Sequence, residues 1–440
     1  MGENKKRTKT GMGLVEKTYV GILLVVFGGI VLHAPLSVAL GTIWQDHSLL
    51  IKSWKEILII LSMVLLGIIL ARRRQFALLK DPLLILIGVF VALHMVTATT
   101  SFVLGMTAAQ VIAGLFIDLR FVVYFALVYV ALLLFVEQRK NFLKVFMYGG
   151  VIVMVFALLQ VFVLPADILS HIGYDSSTIE PYLTVDKNTE YIRINSTLRG
   201  PNPLGAYAVI VLGFIAAAIA KRKVPPMLQS RIVAAILVVG GCVALWVSYS
   251  RSALLAGILA VLIAVTVSLF TKKHAKIWII SGIVLLTALG GYLALHQNST
   301  FVSNVLLHEN PNGGSDYTSN DGHVDSLQDG VGRLVRQPLG AGIGSSGSAS
   351  LLGNSPLIIE NSYLFVSHEA GWLGLVLFIT IFVMVMVRLW KGRTSYVALG
   401  VFASGVGIAA IALLLPIWAD DTVSLIWWGL AAVALAGAKK

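Results

Sequence analysis

The sequence predicts an all-α polytopic membrane protein with about twelve transmembrane helices, and three observations predict it. Its residues are 58% hydrophobic and only 12% charged, with a mean hydropathy of +0.88, far outside the soluble range. The apolar residues form long continuous runs, whereas a membrane β-barrel shows short alternating segments. The basic residues gather in every second connection between runs, the pattern that orients membrane helices.

A helix needs roughly 20 apolar residues to span a bilayer. Runs that meet this lie at 19–40, 56–71, 82–99, 119–136, 143–164, 203–220, 231–249, 252–270, 277–295, 362–388, 395–417 and 422–438. The first follows a basic stretch (Lys5, Lys6, Arg7, Lys9, Lys17). Ser37-Val38-Ala39 weakly resembles a signal-peptide cleavage site, but the run is read as a retained span. The second run is the shortest. Residues 100–118, with Gly105 and Gln110, read as an interfacial or re-entrant segment.

With the N-terminus in the cytoplasm, 24 of the 33 Lys and Arg residues fall inside and 9 outside. Both termini are then cytoplasmic, and residues 1–440 form one integral membrane domain of the inner membrane. The net charge of +12 is scattered over short loops, so it signals topology rather than nucleic acid. A single cysteine, Cys242, excludes an internal disulfide and a cysteine metal cluster.

Two outer loops are long. Residues 165–202 end in Arg193-Ile-Asn-Ser-Thr-Leu-Arg199-Gly-Pro-Asn202-Pro-Leu-Gly205, which runs into the sixth span. The second, 296–361 between spans nine and ten, carries ten glycines and six acids. Loops of that length are usually functional or disordered. Within it Asp321, Asp325, Asp329 and Arg333 recur every four residues, and Val324, Leu327, Val331, Leu334 and Val335 form an apolar stripe. That pattern predicts an amphipathic helix at about 323–337, stopped by Pro338 and lying flat on the membrane.

Of the nine outer basic residues six are arginines, including Arg193, Arg199, Arg251, Arg333 and Arg336. A guanidinium binds phosphate oxygens two at a time, so this bias points to an anionic ligand. Arg251, at the tight turn after span seven, either snorkels to headgroups or is a cation fixed between two helix ends. Gly340-Ala-Gly342-Ile-Gly344-Ser-Ser-Gly347 is either a flexible turn or a backbone nest for an oxyanion; no strand precedes it, which excludes a nucleotide loop. Glu360 and Asn361 open span ten. Glu360 either caps that helix or works in a polar cavity with His368, eight residues on and on the same helix face. Asp118 and Arg120 are candidates to pair with each other. His296, His308 and His323 lack the spacing of metal ligands, so no structural metal is expected.

At these motifs the chain resembles the O-antigen ligase and O-antigen polymerase superfamily of bacterial membrane glycosyltransferases. The matching pieces are Arg193 to Gly205, Ser250-Arg251-Ser252, Gln337 to Gly344, and Glu360-Asn361-Ser-Tyr-Leu364 with Glu369 and Gly371, in the family's order over roughly residues 110–390. The resemblance implies a C-type glycosyltransferase-like fold. It also implies transfer of a glycan from an undecaprenyl-diphosphate donor to a glycan, lipid or cell-wall acceptor at the outer leaflet, without metal or cofactor. In family terms Arg193 and Arg251 match the arginines that hold the diphosphate, with Arg199 beside them. Glu360 stands where the ligases have a histidine base, a departure that leaves ligase and polymerase both open. Arg199, Asn202, Arg333, Arg336, Gly342, Gly344, Asn361 and His368 complete the expected substrate-binding set. The alternative class is a transporter or flippase of lipid-linked or polysaccharide substrates. Such proteins place ionisable groups and broken helices near the bilayer midplane in repeated halves, and no internal repeat is visible here.

Overall fold

The computed structural model describes residues 12–185, 187–223, 225–269 and 319–437, with isolated positions between 270 and 318. The ninth expected span (save isolated positions), His296, His308 and the side chain of His323 lie outside the described residues.

The chain is an all-α bundle of the polytopic membrane type. Helices α1 (Leu14–Gly29) and α2 (His33–Ile43) form the first apolar rod, followed by the short α3 (Ser48–Lys52). Then come α4 (Trp54–Arg73), α5 (Pro82–Val103), α6 (Ala108–Leu134), α7 (Arg139–Phe162), α8 (Pro201–Ala220), α9 (Arg231–Val247) and α10 (Arg251–Leu269). The amphipathic α11 (Ser319–Arg336) precedes α12 (Ser362–Lys391), α13 (Tyr396–Ile411) and α14 (Asp421–Ala436). Among the described residues eight helical rods are long and apolar enough to cross a membrane, and α9, α13 and α14 are apolar but shorter. All of them fall on expected spans.

The last helix is the hub. Every residue of α14 is buried, as expected of a helix apolar on all sides. Its Trp427 and Trp428 join Trp418, Phe121, Phe125 and Phe382 in one aromatic cluster. By contrast α4 and α5 leave Ile60, Met63, Ile85 and Val96 exposed, the outward face of a membrane bundle.

Side-chain contacts sort the helix ends into two sets. At one end Arg73 pairs with Glu16 at 2.5 Å and Arg388 grips Asp81 with two nitrogens at 2.6 and 3.0 Å. Arg139 there donates to the Val433 carbonyl at 2.9 Å. The other end gathers the loops, the head of α12 and the turn between α9 and α10. This loop end carries the candidate site.

One expectation changes and two features are added. Residues 108–118 are not a separate re-entrant segment but the first turns of α6. α5 runs on to Val103, the chain turns through Gly105 (φ 89°), and Thr107 with Gln110 forms a capping box that starts α6 at once. The loop after α7 is not wholly irregular: β1 (Tyr182–Val185) and β2 (Asn188–Ile194) form an antiparallel hairpin, with Arg193 opposite Leu183. Thr184, Tyr191 and Ile192 have the branched and aromatic side chains that favour strands. Finally, α11 is docked on the protein as well as amphipathic. Gly330 packs against Leu364, and the Trp372 indole donates to the Leu334 carbonyl at 2.6 Å, leaving Val324, Leu327, Val331 and Val335 exposed.

Candidate active site

Arg193 is held at the junction of three elements. Its Nε donates to the Ser248 carbonyl at 2.8 Å and a terminal nitrogen donates to Asn202 Oδ1 at 2.7 Å. Asn202 lies in the first turn of α8, and Ser248 begins the turn from which Arg251 starts α10. The strand is anchored just beyond Arg193. Ser196, at φ 51°, takes Gln160 Oε1 with its amide at 2.7 Å and gives its hydroxyl to the Val153 carbonyl at 2.8 Å. The turn is anchored too. Tyr249 sits at φ 46°, a strained conformation for an aromatic residue, and its ring packs edge-on against Tyr191 of β2 at 6.2 Å. Gly205 lets α8 close on this turn, because a Cβ there would lie 2.7 Å from Ala253 Cβ and 2.8 Å from Ser248 Oγ. Arg193, Asn202 and the Arg251 turn therefore form one corner.

Glu360 and Asn361 form a second group at the same end. Asn361 Oδ1 accepts the Tyr363 and Leu364 amides at 2.9 and 3.0 Å, and Nδ2 donates to the Leu413 carbonyl at 2.7 Å. Asn361 is thus the cap of α12. Glu360 precedes the cap, so it is neither the capping residue nor on a shared helix face with His368. Its backbone amide donates to Ser326 Oγ of α11 at 3.2 Å. Ser362 bonds the Ala412 and Leu415 carbonyls, which seats this segment on the end of α13. His368 is buried in α12, and its Nδ1 has no hydrogen-bond partner among the described residues.

The glycine loop does form a nest, but for an internal carboxylate. Gly340, Gly342, Gly344 and Gly347 all have positive φ, and the Gly344 and Ser346 amides donate to the two Glu369 oxygens at 2.8 and 2.9 Å. The Gly344 amide is thus taken by Glu369, and the Ile343 amide next to Gly342 donates to Ser101 Oγ at 2.7 Å. Behind Glu369 lies Asp118, whose other side faces His94 at 3.6 Å. The same loop enters a break in α12 at Gly371 (φ 70°, ψ −174°). There Trp372 donates to the Pro338 carbonyl at 2.9 Å and Ala341 to the His368 carbonyl at 2.6 Å. A Cβ on Gly340 would meet the Gly371 nitrogen at 2.7 Å.

Asp118 and Arg120 do not bond each other. Two positions apart on a helix, they project roughly 200° apart, and Arg120 instead bonds Glu56 and the Ala419 carbonyl. The hydrogen bonds of Arg333 and Arg336 stay within α11, to Asp329 at 2.7 Å and to the Gly332 carbonyl at 3.1 Å.

Arg199 belongs to a cavity of about 540 Å³ between α2, α4, α6, the β2–α8 connection and the head of α14. Buried charges line or back it: Lys55 lies 3.3 Å from Glu56 and 3.2 Å from Asp421, and His33 lies 3.1 Å from Asp421. Beside them Asp420 is pushed up to about 6 by burial, with Asp421 adding to the shift. Sequence reasoning missed this group, although a histidine inside the first apolar run and two aspartates at the edge of the last carried the signal: ionisable groups there are costly unless paired.

No family model matches the sequence, and no curated protein matches it.

Proposed function

We propose that the chain is an inverting glycosyltransferase of the cytoplasmic membrane with twelve spans and both termini inside. It transfers or polymerises glycan from an undecaprenyl-diphosphate donor at the outer face, in the manner of the O-antigen ligases and polymerases it resembles. The observation that carries the reading is the arginine corner, where Asn202, Ser248 and the close approach at Gly205 bring Arg193 to the turn that bears Arg251. Two positioned guanidiniums suit a diphosphate, whose charge grows as it leaves. The acceptor hydroxyl oxygen attacks the anomeric carbon, the carbon–oxygen bond to the diphosphate breaks, and the bonding pair departs with the diphosphate. The hydroxyl proton passes to the Glu360 carboxylate, which Asn361 leaves outside the helix cap.

With a purified lipid-linked donor, Arg251→Ala is expected to lower transfer by roughly 100-fold or more. Glu360→Gln is expected to abolish it. Normal transfer by Arg251→Ala removes the clamp; retained activity in Glu360→Gln moves the base to His368.

The break in α12 favours a second reading, a transporter, because discontinuous helices beside buried acids line substrate paths in such proteins. Movement of a labelled lipid-linked glycan across liposomes without glycosidic bond formation selects that reading.

A further inference from the structure

A glycosyl transfer brings two substrates together, and the arginine corner serves only one of them. The cavity that holds Arg199 takes wall residues from segments that follow both halves of the proposed site in the chain. Arg199 is six residues from Arg193 on the anchored β2–α8 connection, and Phe365 on the cavity wall is one helical turn past the Asn361 cap. On the cavity floor buried Lys55 and Arg120 face Glu56 and Asp421, with Asp420 beside them; the floor's cations are thus all matched by acids. The rim's are not. Lys52 and Arg199 come from separate elements, are exposed, line the cavity and make no ion pair among the described residues. Asp175, also on the wall, is turned into its own loop by hydrogen bonds from Ser177 and Thr178. Gln45 and Ser48 add polar lining. The volume lies within the roughly 300–1,000 Å³ of small-molecule sites.

We infer that this cavity binds the acceptor, and that the acceptor is an acidic glycan whose carboxylate or phosphate sits between Lys52 and Arg199. The word acceptor rests on the transferase reading; the binding site does not.

The test uses the full chain in nanodiscs of phosphatidylcholine, titrated with tetragalacturonate and with the neutral maltotetraose. Tetragalacturonate is expected to bind, more weakly as salt rises, and maltotetraose is not. Lys52→Glu and Arg199→Glu, both at exposed positions, are expected to weaken binding by about tenfold or more each, since each puts a like charge against the ligand. Equal binding of the two sugars, binding of neither, or undiminished binding by both charge-reversal variants overturns the inference. So does loss of tetragalacturonate binding when phosphatidylglycerol is added to the nanodiscs, which assigns the cavity to a lipid headgroup. If binding behaves as expected while the chain transfers no glycan, the transferase reading fails and the site stands.

Discussion

Two constellations of charged groups at the loop end look alike in the sequence and are built in opposite ways. Around Glu369 the chain closes on itself: two amides and the Ser346 hydroxyl donate to the carboxylate, and Asp118 and His94 lie behind it, all buried. Around Arg193 the chain holds the guanidinium itself, against the Ser248 carbonyl and Asn202 Oδ1, and at Arg199 an exposed guanidinium lies on a cavity rim. A sealed charge holds a fold together, because a buried acid that loses its donors is costly. A charge held in place but open to a cavity is available to a ligand. On the proposed reading the glycine loop is architecture and the arginines are the chemistry.

The comparison breaks most readily at its sealed half. Gly371→Ala and Gly340→Ala each drive a Cβ into backbone 2.7 Å away at a positive φ. Each is expected to cost about 3 kcal/mol or more, read as loss of monodisperse protein on size-exclusion chromatography. Wild-type yield and melting temperature in either variant contradict the sealed half.

A smaller effect is expected at the open half. Gly205→Ala forces α8 away from Ala253 and Ser248, so transfer should fall by roughly tenfold to a hundredfold, as misplacement of a positioning element does. The melting temperature should fall only modestly, because one methyl group is added at the end of a helix. Equal losses of fold and activity would make the corner merely structural.

The smallest is a pH effect. Asp420 is raised to about 6 by burial, so the folded state holds its proton more tightly than the unfolded chain does. Its contribution is complete below about pH 4 and is lost as pH rises through about 6. Asp420→Asn keeps an oxygen for the Val423 amide and should remove that part of the fall in melting temperature between pH 5 and 7. An identical pH profile in the variant contradicts the assignment.

Most of the fold was legible because a span is a local property: roughly 20 apolar residues and flanking charge suffice. The hairpin was not, since its short strands lie in a polar loop without a long periodic signal. At the site, Arg193 and Arg251 stood out as cations between rigid elements, and Asn202 belonged to the same motif. The fold partners of Asn361 and Gly344 were not legible, for one reason. Whether a polar group faces a ligand or the fold depends on partners far along the chain, such as Leu413 for Asn361 and Glu369 for Gly344. The pairing of His33, Lys55, Glu56 and Asp421 was hidden for the same reason, since it joins residues from the two ends of the chain, although each stood out singly as an ionisable group in or beside an apolar run.

The central claim, that Arg193 and Arg251 grip one diphosphate, is tested most directly by a double-mutant cycle on undecaprenyl diphosphate affinity in nanodiscs. Each alanine variant should weaken binding by about tenfold or more, and the pair should show a coupling of about 1 kcal/mol or more, as residues sharing one ligand do. Unchanged affinity in both single variants, or losses that simply add, contradicts the claim.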